Sequence, residues 1–352
     1  MATPTGPERK MLAAGFKKAA TWGTAAVLGA LNGVNCKSIG GFNRSQDMLI
    51  ANEIDTPVAF SGALDSIKPP EPTITTDFLY DPGALGTAIA LLWSTAGAPV
   101  QQGATTAYLH TFQWANMNWN KFGTFAVEMP GVIWEAASAK PIEWSLKVQG
   151  GGFVQSELKL RCNTIINNSG VNGATQMDAL TYKDRDNRAI YKHLTVKMND
   201  QSGADVSGTS ALVGIAGVEV SYKRGGYDAV VPCGSYAIDE PAEGGYSEVT
   251  VKLSWHHADV TNLGYFTTAL AETTQKALIE FTSAALAGVA YPYKMALFFP
   301  RLRMKFPEAS YDEIVKNGLE LYAEEASAAP TGMAYARHYM TLTNKTTTDY
   351  LA

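Results

Sequence analysis

Residues 67–93 read IKPPEPTITTDFLYDPGALGTAIALLW, a Pro-punctuated, Thr-rich strand pattern followed by a turn and a largely apolar, helix-like run. Asp81 and Gly83 mark the turn, and the run over 83–94 is far too short to span a bilayer. The same order returns in YSEVTVKLSWHHADVTNLGYFTTALAET (246–273), with a strand over 248–255, Asp259 and Gly264 in the turn, and a short helix over about 263–272. In each half a strand follows (107–114; 277–284), then one ending in Pro (124–130; 294–300), then a closing strand or hairpin. The letters barely match, but the order does, which points to a structural duplication.

Working outward, most of the chain shows the period-two alternation of half-buried strands. In IEWSLKV (142–148), Ile142, Trp144, Leu146 and Val148 share one face while Glu143, Ser145 and Lys147 share the other. GGG at 150–152 supplies a turn and VQSELKL returns, which makes a hairpin. The alternation stops in NTIINNSGVNGATQM (163–177), where turn formers dominate, so the internal boundary is placed there. The expected organisation is an N-terminal arm over 1–20, a β unit over 21–170, a second over 171–327 and a C-terminal arm over 328–352. The fold class is α+β, mainly antiparallel β: two tandem β-sandwich or barrel units, each with a short flanking helix. The arms carry apolar anchors, Phe16, Tyr335, Tyr339 and Met340, expected to order against a neighbouring subunit.

Of the 352 residues 46% are apolar and only 17% charged, below the ~25% charge of ordinary soluble domains. A surface covered by something other than charge points to assembly. The net charge of −5 argues against a protein that grips nucleic acid through its phosphates, although it suits a wall past which nucleic acid slides. Cys36, Cys162 and Cys233 are far apart and lack CxxC spacing, and they are read as ordinary reduced thiols. No targeting segment is expected in MATPTGPERKMLAAGFKKAATWG, because Lys17 and Lys18 interrupt its short apolar run.

Signatures of chemistry are few. GxSxG, the phosphate-binding GxxxxGK[ST] and GxGxxG after a strand are all missing. His256 and His257 point to opposite strand faces, so one metal cannot take both; His110, His193 and His338 are isolated. Asp184 and Asp186 lack the Gly and distal Glu of a calcium loop, and Arg185 and Arg188 already supply countercharge. The acid pairs Asp312/Glu313 and Glu324/Glu325 have no spacing that specifies an acid and a base. No enzyme activity, cofactor or metal is expected. TFQWANMNWNKFGTF (111–125) admits three readings: aromatic core anchors, a sugar- or base-stacking platform on Trp114, Trp119 and Phe122, or a loop whose Trp119 tip packs into the next copy.

The order of TWGTA (21–25), IKPPEPTITTDF before a short helix, VIWEAASAKPIEWSLKVQGGGFVQSELKL, LTVKMNDQSGADVSGTSALVGIAGVEVSYKRG and the late YPYKMALFFPRLRM resembles the major tail tube proteins of tailed bacteriophages, the large, duplicated type. The likeness covers roughly residues 21–325; the arm after Ala326 departs from it. The resemblance implies a structural virion protein that self-assembles into stacked rings whose inner strands line a channel for DNA ejection. It implies three chains per pseudo-six-fold ring, assembly in the bacterial host cytoplasm, and tape measure, tail terminator and baseplate or tip proteins as partners. DNA would pass without base readout, and no membrane would be crossed. Lumen candidates are Thr73, Thr75, Asp77, Glu248 and Thr250, on a surface expected to favour carboxylates and small polar groups, where Lys252 would be awkward. Subunit-contact candidates are Trp114, Trp119, Phe122, Tyr335 and Tyr339. The competing function class is a virion decoration or adhesin whose β-sandwich binds carbohydrate through Trp114 and Trp119.

Overall fold

A computed structural model describes residues 13–42, 45–50, 63–228, 230, 232, 235, 237–256, 260–305, 308–311 and 315–352; of 45–50, 63–68, 228, 260–263, 266, 308–311 and 315–317 it describes the backbone alone. The chain begins with β1 (Ala13–Lys18), β2 (Ser38–Gly40), the hairpin β3 (Ser45–Ile50) and β4 (Ala63–Lys68), β5 (Thr73–Asp77) and helix α1 (Ala84–Trp93). Next come β6 (Ser94–Ala96), β7 (Val100–Gln101), β8 (Tyr108–Trp114), β9 (Gly123–Met129), the long β10 (Val132–Gln149), β11 (Gln155–Cys162), β12 (Ile166–Asn167) and α2 (Ala174–Asp178). The remainder is β13 (Leu194–Asp200), β14 (Ile215–Lys223), the pair β15 (Tyr227–Asp228) and β16 (Ala242–Glu243), β17 (Glu248–Trp255) and α3 (Val260–Leu270). It closes with β18 (Gln275–Gly288), β19 (Tyr291–Met304), β20 (Glu308–Tyr311), β21 (Val315–Glu324) and β22 (Tyr339–Asn344). The fold is α+β and mainly antiparallel β, with three short α-helices among the described residues.

One wiring occurs twice. In the first unit β1 pairs with β9, β9 with β10, β10 with β11, β11 with β5, and β5 with β2. In the second, β13 pairs with β18, β18 with β19, β19 with β21, β21 with β17, and β17 with β14. Helix α1 follows β5 as α3 follows β17. These pairings correct the strand matching read from sequence order: the counterpart of β18 is β9, not the strand over 107–114, and the counterpart of β19 is β10. Strands β6 to β8 have no equivalent, since only four residues separate α3 from β18.

The extra strand β8 finds its partner at the other end of the chain. β22 lies between β8 and β19, with Leu342 opposite both His110 and Met295. The segment expected to be a C-terminal arm is therefore an inner strand that ties the two units together, and Met340 and Leu342 are buried in the core. The expected N-terminal arm is likewise ordered from Ala13, where β1 pairs with β9 and buries Phe16; residues 1–12 lie outside the described residues. The internal boundary also moves. Met177 and Leu180 pack with Leu28, Ala126 and Ile133, and the Ala189 amide donates to the Phe78 carbonyl, so 171–190 covers the first unit.

Alternation decides what each strand buries. Trp144, Leu146 and Val148 of β10, Val218, Val220 and Tyr222 of β14, and Val249, Val251 and Leu253 of β17 all point into one core, as the two-residue period requires. β10 bends to serve two places: register shifts at Ala136/Ala139 and Pro141/Glu143 let its first half pair with β9 and its second with β11 and β14. Pro141 sits at that bend, where a missing N–H is tolerated. Helix α1 is apolar all round and nine of its ten residues are buried, as expected of a helix enclosed by sheet. Its C-terminal carbonyls meet Arg224, whose Nε and Nη2 donate to the Leu92 oxygen at 2.9 and 2.6 Å, a favourable place for a cation.

Candidate functional site: an open polar sheet face and its two edges

Seven strands and a shared edge make one continuous sheet in the order β2, β5, β11, β10, β14, β17, β21, with the end of β19 and then β20 beyond. One face is the core described above. The other is open and organised in cross-strand rows. The middle row sets Thr75, Glu157, Ser145, Ser221, Thr250 and Tyr322 side by side. On one side of it run Thr73, Lys159, Glu143, Lys223 and Glu248; on the other run Asp77, Gln155, Lys147, Glu219, Lys252 and Glu320. Directly opposed residues in an antiparallel pair share a face, so a hydroxyl-rich row is flanked by two rows in which Lys and Glu alternate.

Three of the lysines, Lys147, Lys159 and Lys252, are paired with carboxylates. Lys147 Nζ lies 3.6 Å from Glu219, and Lys252 Nζ 3.3 Å from Glu320, which also accepts from Lys305 at 3.0 Å. Hydrogen bonds from Lys305, joined by Lys252, hold the Glu320 carboxyl below the usual carboxylate range. Burial alone would raise Glu71, but hydrogen bonds from Lys159 and Arg161 outweigh it and hold this carboxyl low as well. Four of the lumen candidates, Thr73, Thr75, Glu248 and Thr250, stand on this open face. Asp77 ends a row of the same face but is not open to it: it is 6% exposed, covered by Lys37 at 2.5 Å and Arg188 at 3.6 Å. Lys147, Lys159, Lys223 and Lys252 share the face, each with a carboxylate directly opposite on a neighbouring strand.

The sheet has a seam and two ends. At the seam β10 pairs with β14 over seven residues, from Glu143 opposite Lys223 to Gln149 opposite Gly217, and this joins the units edge to edge. At the ends, β2 pairs only with β5 and β20 only with β21 among the described residues. By the shared wiring, β2 is the counterpart of β14, and β19 with β20 the counterpart of β10. The two unpaired edges are thus the same two edges that meet at the seam.

Most of the contact candidates are interior. Trp114 is 5% exposed; its indole lies 3.9 Å from the buried Arg224 guanidinium and edge-on to Trp93 at 5.6 Å. Phe122 is buried edge-on to Trp22, and Tyr339 is stacked on Phe298 at 4.3 Å. Trp114, Phe122 and Tyr339 are therefore corrected from contact residues to core residues, and a sugar platform built on Trp114 and Trp119 loses its first member. Trp119 is 56% exposed, beside the buried Lys140–Glu240 pair (2.6 Å), and Tyr335 is half-buried against Tyr339. Arg224, just past the end of β14, and Lys140, within β10, both read as solvated cations in sequence, and only the fold brings α1 and the 240–243 segment against them.

Among the described residues the acids and the isolated histidines singled out in the sequence are engaged elsewhere. Glu324 is bound to Arg301 and Arg303, and Glu325 to Arg337. Asp184 accepts from the Asp186 amide in an exposed turn. His110 is held by the Thr346 carbonyl and His193 by the Tyr80 hydroxyl, while burial pushes the His338 imidazole down to about 3. His257, Asp259, Cys233 and the pair Asp312/Glu313 lie outside the described residues. Among the described residues no group of three or more His, Cys, Asp or Glu could hold a metal, and no helix is long and apolar enough to cross a membrane. Neither a family model nor a curated protein sequence matches the chain.

Proposed function

We propose that this chain is a structural virion protein that polymerises head to tail into rings, and that the rings stack into a phage tail tube through which DNA is ejected into the host. The observation that carries the reading is the seam. The chain already joins two similar units through a β10-type edge and a β14-type edge, and among the described residues one edge of each type is left unpaired. Repeating the seam between chains pairs both, and a heterologous contact of this kind closes into a ring when its rotation permits. Three chains then supply six similar units, with the open polar face turned to the channel and Thr73, Thr75, Glu248 and Thr250 on its wall. Tape measure, terminator and baseplate or tip proteins are the partners such a tube requires, and the virion tail is its location.

Proline substitution along β20 (308–311) tests this. Where the N–H points away from β21, proline leaves the fold intact and removes a donor from the free edge. Negative-stain images should show rings and tubes for the parent and only dispersed particles for those variants. Rings that persist with every β20 position replaced, or a parent that stays monomeric under all conditions, would refute the reading.

A further inference from the structure

We propose that Glu219 and Glu320 act as charge masks that stop the open face from gripping a polyphosphate backbone. The inference rests on the reading that this face lines the channel. Lys147, Glu219, Lys252 and Glu320 stand directly opposite one another on consecutive strands. Neighbouring strands are about 4.8 Å apart, so the two lysines sit about 10 Å from each other with one carboxylate between them. Gly217 leaves a notch of about 150 Å³ in the face here, lined by Lys147, Gln149, Glu219, Lys252 and Ser254. A Cβ at Gly217 would come within 3.1 Å of both the Ser254 hydroxyl and the Val148 carbonyl, so a side chain here would crowd the wall of the notch.

Without this carboxylate pair the notch would be a ready anion site: two ammonium groups, an amide and a hydroxyl around a space that accommodates a phosphate. With it, Lys147 is engaged at 3.6 Å, and Glu320 engages Lys252 at 3.3 Å and Lys305 at 3.0 Å. In the other charged row Glu143 and Glu248 stand directly opposite Lys223 on the neighbouring strands, the same alternation of sign. A phosphate at the notch therefore meets two lysines, Lys147 and Lys252, that already have a carboxylate partner. The wall keeps long aliphatic stems that cover the sheet without the salt-releasing contacts that would slow a moving polyanion.

The test uses the purified full chain and a short labelled DNA duplex, read by fluorescence anisotropy. The parent should show no salt-sensitive binding. The E219Q/E320Q variant should bind at least about tenfold tighter at ~50 mM salt and lose about that factor by ~200 mM, as two phosphate contacts would. Adding K147Q and K252Q should erase the gain. Parent binding as tight as that of E219Q/E320Q, or a gain that survives loss of both lysines, would overturn the proposal. Microscopy of the same preparations keeps the two readings apart. Rings without a DNA gain in E219Q/E320Q overturn the masking alone, whereas a gain without rings in the parent supports masking and removes the channel.

Discussion

Helix α1 follows β5 as α3 follows β17, yet nine of the ten α1 residues are buried, whereas no α3 residue whose side chain is described is buried and Leu270 is 72% exposed. The wiring around the two helices is the same; what differs is what was added to it. The first unit carries β6 to β8 after its helix, and β22 returns from the far end of the chain to pair with β8. Tyr350 then packs over Gly86, where a Cβ would lie 2.5 Å from its ring. The second unit has no such cover. The repeated wiring has thus been completed on one side only, by strands inserted after α1 and by a segment returning from beyond Ala326.

Removing residues 331–352 tests that asymmetry with the largest expected effect. It would unpair β8 and β19 and strip Tyr339, Met340, Leu342 and Tyr350 from the core, so cooperative thermal unfolding followed by circular dichroism should be lost. A truncated chain that melts as the parent does would restore the segment to a dispensable arm. Next come matched substitutions in the two helices. Leu91→Ala in α1 should cost about 2–5 kcal/mol in urea unfolding, and Leu270→Ala in α3 no more than about 0.5 kcal/mol for the unassembled chain. Equal costs would show that α3 is covered after all.

Between those two in size lies a pH effect at the closed end of α1, where His338 lies against Trp93 at 5.7 Å and beside Arg224. Burial, aided by Arg224 and Arg337, depresses its folded-state pKa to about 3. Below about pH 6.5 the unfolded chain takes a proton that the folded chain refuses, so stability is full above that pH and declines as pH falls toward 3. At pH 5 the loss should be about 2 kcal/mol, and His338→Phe should remove that part of the slope from the urea midpoint. A slope unchanged in the variant would exclude the imidazole as its source.

Much of this architecture was legible in sequence, and the failures have definite causes. Alternation in IEWSLKV and EVTVKLSW identified not only strands but the faces that turned out buried and open, because a two-residue period forces that division. The short apolar run after Gly83 was legible as a helix for the same kind of reason. The repeat was visible as an order of elements but was matched one strand out, since an inserted strand looks like any other until its partner is known. YMTLTN at 339–344 reads as part of an arm in sequence because its partners lie far away, at 108–113 and 294–298. The charge pairing of the open face was equally hidden: Lys252 looked awkward only while Glu320 had no place beside it.

The central claim is that the internal seam is repeated between chains, and counting chains in a ring tests it most directly. Averaged end-on images of assembled particles, with the mass from light scattering, should give three chains and six similar lobes around an open channel. Six chains per ring, or a two-fold dimer that grows no further, would contradict it.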